Sequence, residues 1–431
     1  DQNPGAELTM TGNSSEKAIL VISDGLGDRP IPALKMKTPL EAAKKPTLDR
    51  LAAKGITGLV HVLSPGIPPG SDTGHLSLFG YDARDCYTGR GPFEALGARL
   101  DLGPSDVAFR GNFATVRQLK DETYDVLDRR AGRNVAEGAE LVKLIDGLKV
   151  PGYPTIEVTV RHTVEHRCVV VIRGDGLSSK ISDTDPHGHG DSVLASMPLD
   201  DTSEAELTSK IVNAITREFH RILADSPINA QRKKAGLPEA NIVILRGAGV
   251  LPEIPFLKDI YGISTACVAG GALYKGVAQS VGMDVLSVPG DTASYDTDVE
   301  AKARATADAL KNHDYVFLHF KPTDSAAHDL DPRKKMAMIE KFDHMVATLT
   351  QLIDMDHTHI AITGDHTTAS TTGQHTGDPV PLLLVGPTVR NDDVKEFSER
   401  ACATGGLGSI LGMAVMPLLM SAIDRTPMFG A

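Results

Sequence analysis

The stretch HIAITGDHTTASTTGQHTGDPVPLLL, residues 359–384, runs from a short apolar segment straight into Gly364, Asp365 and His366. A second histidine, His375, follows nine residues after His366, and a further apolar run closes the stretch. An unbroken apolar run of this length suits a strand buried on both faces, as a parallel sheet requires. Taken singly, His366 and His375 read as polar loop residues at a sheet edge, the ordinary place for a histidine outside a core. Whether they mark a site depends on how the other strands of the chain end.

Several end in the same way. AILVISDGLGD (18–28), IVILRGAG (242–249), ACVAGG (266–271) and YVFLHFKPTD (315–324) are apolar runs closed by polar or glycine-containing turns. Helical patterns lie between them. After Asp331-Pro332, an N-cap followed by proline at the first helical position, Ile339, Phe342, Val346, Leu349 and Ile353 mark one helix face. Strand–helix alternation predicts an α/β fold with a doubly wound, mostly parallel sheet. Between about 100 and 235 the pattern changes: TIEVTV alternates, and Arg110, Arg117, Arg129, Arg130, Arg133, Arg161, Arg167 and Arg173 crowd the segment. This reads as an inserted, smaller α+β domain over 99–237. It divides a main domain of 18–98 and 238–431, and a polar tail precedes both over 1–17.

Bulk properties narrow the function. With 431 residues, 41% apolar and 23% charged, the chain is long enough for two domains. A net charge of −12 argues against nucleic acid, which calls for a basic face, but leaves room for a small anion in a cleft of local Arg or Lys. Cys86, Cys168, Cys267 and Cys402 form no CxxC pair and no dense disulfide framework, so a reducing, cytoplasmic setting is expected. The first residues are polar, and Asn13-Ser14-Ser15 is a weak glycosylation sequon. The apolar tail LGSILGMAVMPLLMSAI is interrupted by Gly408, Gly412 and Pro417 and falls short of the ~20 residues of a membrane span; it is expected to form a helix packed on the core.

In an open α/β sheet, ligands collect beyond the carboxyl ends of the strands. The first strand delivers Asp24 there. FLHFKPTDSAAH delivers Asp324 and His328, four apart and so on one helical face. The 359–384 stretch adds Asp365, His366 and His375. Mixed Asp/His sets suit zinc, manganese, cobalt or iron better than all-oxygen ions. Six donors exceed what one open catalytic ion takes and fit two. In GIPPGSDTGHLSLFGYD, Ser71 opens a helix, where exposed N–H groups bind anions. It reads either as a metal-activated nucleophile or, with Asp72, as a plain N-cap. A nucleophile, two metals and a cationic insertion together point to phosphoryl transfer.

The ordered set SDGLGD, PPGSDTGHLSLFGYD, GRGPFEALGA, NFATV, DRRAGR, ISDTDPH, LRGAG, KPTDSAAHD, GDHTTAS and QHTGDPVPLLL, with CATGGLGSILG near the end, resembles the cofactor-independent phosphoglycerate mutases. The likeness is to their archaeal-type branch within the alkaline phosphatase superfamily, and it runs from about residue 18 to the end. It implies one divalent ion on Asp324, His328 and His375, and another on Asp24, Ser71, Asp365 and His366. Manganese is the first choice of ion, with zinc, cobalt or magnesium as alternatives, and no 2,3-bisphosphoglycerate is needed. The resemblance also implies substrate contacts from Asp72, His75, Arg130, Arg133 and Lys275. The reaction implied is interconversion of 3- and 2-phosphoglycerate through a phosphoserine at Ser71, with the insertion as a lid that excludes water. A metal-dependent phosphomonoesterase or phosphonate-processing hydrolase could use the same residues. Neither a nucleic-acid nor a membrane partner is expected, and a homo-oligomer is compatible with the sequence. Two departures from the family pattern stand out: Pro322 before Thr323-Asp324, and the His187/His189 pair, which reads as a turn.

Overall fold

The computed structural model describes residues 15–120, 123–187 and 192–428. The sequon, most of the polar tail and His189 lie outside them. The chain divides into two compact units, one made of residues up to Cys86 together with those from Ile254 onward, the other of residues 87–253.

The first unit is built on an eight-stranded sheet. Its strands run in the order Gly408–Leu411, Ile56–His61, Val380–Val385, Thr358–Thr363, Lys17–Ser23, Tyr315–Phe320, Thr265–Val268, Asp284–Val285. Only Val380–Val385 runs against its neighbours; the remaining pairings are parallel. The expected doubly wound, mostly parallel α/β sheet is present. Its two faces follow from the period-2 geometry of strands. Ile19, Val21, Val316, Leu318, Ile360 and Ile362 pack with Val299 and Ala303 of helix Val299–Ala309, and with Ile339, Phe342 and Val346 of helix Pro332–Leu352. Phe317 points to the opposite face, where its ring meets Phe79 at 5.0 Å and His75 at 5.5 Å, beside helix Ser71–Leu78. The Asp331 carboxylate caps Pro332–Leu352 by accepting from Lys334 N–H.

Two expectations are corrected. The apolar tail is not one helix. Gly408–Leu411 forms the edge strand beside Ile56–His61, and only Val415–Ala422 is α-helical, packed on strand Thr358–Thr363. Left-handed Gly408 interrupts helical geometry, and Gly412, which abuts the Val62 carbonyl, opens a 3-10 turn that leads into the short helix. No helix among the described residues is long and apolar enough to cross a membrane.

Strand Ile242–Gly249 is likewise not part of the parallel sheet; it pairs antiparallel with Val107–Gln118 in the second unit. An unbroken apolar run reports burial on both faces but not which sheet supplies the neighbours. The second sheet orders Tyr124–Asp128, Val107–Gln118, Arg167–Arg173 and Glu157–His162, with Ile242–Gly249 on the free side of Val107–Gln118. One face is apolar: Val107, Phe109, Phe113, Val170, Ile172, Val243 and Leu245 pack against helices Gly138–Ile145 and Ser203–Ala224. Helix Gly91–Gly97 lies on the other face, with Ala95 against Ala108 and Val169. This unit therefore extends beyond 99–237 at both ends.

Candidate functional site

Three adjacent parallel strands set the first-unit cluster. In register, Ser23 lies opposite Phe320 and Ile22 opposite Thr363, so the chain leaves all three strands at one level of the sheet. Asp24, Lys321 and Asp324, and Asp365 and His366 emerge there, and the three carboxylates are buried. Gly25 N–H donates to Asp365 Oδ1 at 2.9 Å. Gly25 has φ +59°, and a Cβ on it would stand 2.5 Å from Thr368 Oγ1 and 2.8 Å from Asp324 Oδ1, so only glycine allows the loops to close this tightly.

Two ligand groupings arise from this packing. Asp324 Oδ1 lies 3.3 Å from His328 Nε2 and 3.6 Å from His375 Nε2. His366 Nε2 lies 3.2 Å from Asp365 Oδ2, 3.6 Å from Asp24 Oδ1 and 3.3 Å from Ser71 Oγ. Ser71 is the first residue of its helix, after cap residue Gly70. It is not itself the cap, which leaves its hydroxyl free to face His366.

His328 Nδ1 meets the Gly373 carbonyl at 2.7 Å and His375 Nδ1 the Pro69 carbonyl at 2.8 Å. A carbonyl only accepts, so both Nδ1 atoms carry the proton. The two Nε2 atoms then face each other 3.3 Å apart beside a carboxylate oxygen, an arrangement that demands a positive charge between them, a shared proton or a metal ion. In the other grouping Asp365 Oδ2 is buried and accepts no hydrogen bond among the described residues. A buried carboxylate oxygen that accepts no hydrogen bond, with inward-facing imidazole nitrogens around it, suits a divalent ion. The residues fit two such ions.

Further groups steady the carboxylates. His319 Nε2 donates to Asp24 Oδ2 at 2.9 Å, and Tyr274 stacks on the His319 ring at 3.7 Å. Burial lowers the His319 pKa to about 4, so this is a neutral donor. Lys321 Nζ bridges the two groupings, 3.2 Å from Asp24 Oδ1 and in close contact with Asp324 Oδ2. Burial alone would raise the Asp24 pKa, but Lys321 and then His319 hold it well below the usual carboxylate range. Asp324 is likewise held down by Lys321 against its burial.

The second unit carries a cluster of opposite sign. Arg110 of Val107–Gln118 is the cross-strand partner of Arg246, and Arg167 lies on the diagonal. Like charges directly opposite in a sheet repel. Burial, and the nearby Arg167, Arg90 and Arg246, push the Arg110 pKa well below its ordinary value, against the pull of Glu94. Glu94 is the near counter-ion at 3.5 Å, and Arg110 Nε is buried without a hydrogen-bond acceptor among the described residues. Beside them, Arg129 Nε and Nη2 donate to the two oxygens of buried Asp185, each at 2.6 Å. Such a face suits an anionic ligand.

A profile described as 2,3-bisphosphoglycerate-independent phosphoglycerate mutase matches residues 52–229, and one described as type I phosphodiesterase / nucleotide pyrophosphatase matches 197–384. A 2,3-bisphosphoglycerate-independent phosphoglycerate mutase of Ignicoccus hospitalis is 47% identical over 96% of this chain and 99% of its own length. The chain belongs to the 2,3-bisphosphoglycerate-independent phosphoglycerate mutase family. Among solved structures, the cofactor-independent phosphoglycerate mutase from Thermoplasma acidophilum is 36% identical, with a TM-score of 0.68 over 95% of this chain and 100% of that one. A Pyrococcus horikoshii protein is 39% identical, with a TM-score of 0.84 over 96% of this chain and 99% of that one.

Within this mutase fold the residues singled out in the sequence are distributed unevenly. Asp24, Ser71, Asp324, His328, Asp365, His366 and His375 are brought together. Asp72 is buried in the first turn of Ser71–Leu78, where its Oδ1 accepts from Thr73 N–H. His75 is fully buried one turn behind Ser71, with Nδ1 donating to the Ser71 carbonyl at 2.6 Å and its ring among Phe79, Tyr274 and Phe317. Lys275 is half-buried on helix Ala272–Ser280. Arg130 and Arg133 are exposed, and Arg133 pairs with Glu165 at 3.3 Å. Sequence reasoning passed over His319, Lys321 and Thr368, although all three stand inside the quoted motifs. In the sequence Arg110 and Arg167 stand out only as members of a dense arginine run. Singling them out takes the strand register, which no local pattern carries.

Proposed function

We propose that Ser71 carries the phosphoryl group in the reaction of this family. The chain is a phosphoglycerate mutase, an isomerase, interconverting 3-phosphoglycerate and 2-phosphoglycerate. The observation that supports this assignment of Ser71 is the placement of its hydroxyl, 3.3 Å from His366 Nε2 at a helix N-terminus.

Asp324, His328 and His375 would hold one divalent ion, and Asp24, Asp365, His366 and Ser71 the other, with manganese the first choice for a mixed carboxylate–imidazole set. When bound, the ions supply Lewis-acid stabilisation of phosphoryl charge and a lowered pKa for the serine hydroxyl. The positive end of helix Ser71–Leu78 would favour the incoming phosphoryl oxygens, although Thr73 N–H is already given to Asp72 Oδ1. Ser71 Oγ attacks phosphorus, the glycerate hydroxyl leaves, and the neighbouring hydroxyl of the same glycerate takes the group back from phosphoserine. His75 holds the Ser71 backbone rather than the substrate, because it is enclosed behind the helix. Arg130 and Arg133, with the arginine face of Arg110, Arg167 and Arg246, are the groups of the second unit suited to an anion such as the substrate carboxylate. A cytoplasmic setting fits four free thiols, three of them buried.

Phosphorus NMR of the manganese-loaded protein with 3-phosphoglycerate tests the reading. Conversion to 2-phosphoglycerate with little free phosphate is expected. Stoichiometric release of phosphate without 2-phosphoglycerate would make the chain a hydrolase instead.

A further inference from the structure

The hydroxyl of Thr368 sits where the two ligand groupings meet. Its Oγ1 is 2.7 Å from Asp324 Oδ1, which belongs to one grouping, and 3.0 Å from His366 Nδ1, which belongs to the other. The proton directions are forced. The Asp324 carboxylate meets the Lys321 ammonium through Oδ2 and accepts the threonine O–H at Oδ1. The remaining lone pairs of Oγ1 then accept from His366, whose proton must stand on Nδ1. His366 Nε2 is thereby turned, as a donor atom, toward Ser71, Asp365 and Asp24.

The backbone around Thr368 is clamped as well. Its N–H donates to the Gly27 carbonyl at 3.1 Å, and its own carbonyl accepts from the buried Lys335 ammonium at 2.8 Å. Residue 25 has no side chain to fill the space its hydroxyl occupies. Thr367, one residue earlier, has its hydroxyl turned the other way, to the Asp378 carbonyl.

We propose that Thr368 is a positioning residue: it sets the His366 tautomer and couples the two ion-binding groupings, so that loosening one loosens both. The inference rests on the two-ion reading above. Outer hydrogen-bond partners of metal ligands commonly contribute about 10–100-fold in metal affinity, and here one hydroxyl serves a ligand on each side.

The experiment compares wild type, Thr368→Val and Thr368→Ser. Manganese stoichiometry and affinity are measured by calorimetry, and the imidazole tautomers of the metal-free proteins by long-range proton–nitrogen NMR; thermal unfolding confirms that each variant is folded. Thr368→Val should lose about tenfold or more in affinity at both sites, and His366 should no longer be held in the Nδ1–H form. Thr368→Ser keeps the hydroxyl and should restore both properties. Unchanged affinity in Thr368→Val, weakening at one site only, or a serine variant as weak as the valine variant would each overturn the coupling. If wild type itself bound no manganese, the two-ion reading would fall. The tautomer of His366 would then decide the positioning role by itself.

Discussion

Each unit gathers charge that its own side chains do not balance, with opposite sign; the first buries all of it, the second buries only Arg110 and leaves Arg167 exposed. At the carboxyl edge of the parallel sheet, Asp24, Asp324 and Asp365 are fully enclosed with Lys321 and neutral-capable imidazoles around them. On one face of the antiparallel sheet, Arg110, Arg167 and Arg246 gather with Glu94 as the near counter-ion of Arg110. Each unit also contains a closed ion pair that needs nothing further: Lys335–Asp28 at 3.0 Å in the first, Arg129–Asp185 in the second. Charges satisfied within the fold are structural, whereas charges left over mark where the protein expects ions from outside, cations in one unit and an anion in the other.

The largest effect should come from breaking the first cluster at its reacting atom. Ser71→Ala should lower turnover by roughly 10³-fold or more, as removal of a nucleophile does, with thermal unfolding essentially unchanged. A variant retaining a tenth of wild-type activity would show that Ser71 only starts a helix. Chelation should abolish turnover as completely, and added manganese should restore it.

Next in size is a closed pair. Lys335→Met leaves Asp28 buried without its cation, and denaturant unfolding should register a loss of about 3–5 kcal/mol. A loss below ~1 kcal/mol would mean that the hydrogen bonds from Ser370 and Arg29 N–H suffice for Asp28.

Arg110→Met sharpens the contrast, because an unbalanced charge should behave oppositely to a balanced one. Relief of crowding should raise the unfolding temperature by about 2–4 °C. Loss of a charge-assisted contact should raise KM for phosphoglycerate about tenfold or more. A lower unfolding temperature with unchanged KM would make Arg110 a structural residue of the sheet.

The smallest expected effect is a pH dependence. Burial pushes the Glu399 carboxyl up to about 7 from its ordinary 4.5. The folded state therefore holds this proton more tightly than the unfolded state. Its stabilising contribution is complete below about pH 4.5 and is lost as pH rises through about 7. Unfolding temperatures of wild type and Glu399→Gln, compared from pH 4.5 to 8, should diverge in that window, with wild type losing ground as pH rises. Parallel profiles would place the carboxyl in contact with water.

The amino-acid sequence by itself determined that apolar runs alternate with helices, that Asp24, Asp324 and Asp365 follow three of those runs, and that Ser71 opens a helix. These are local facts: burial of a strand shows in its unbroken apolar composition, and a turn shows in its Gly, Asp and His. Tertiary structure decided the rest. Whether Ile242–Gly249 joined the parallel or the antiparallel sheet depended on hydrogen-bonding partners that composition does not name. That Arg110 faces Arg246, that Thr368 bridges Asp324 and His366, and that His319 steadies Asp24 depended on register between segments far apart in the chain. A one-residue slip in pairing would turn each of those strand side chains to the other face. Their partnerships exist only once the strands are side by side.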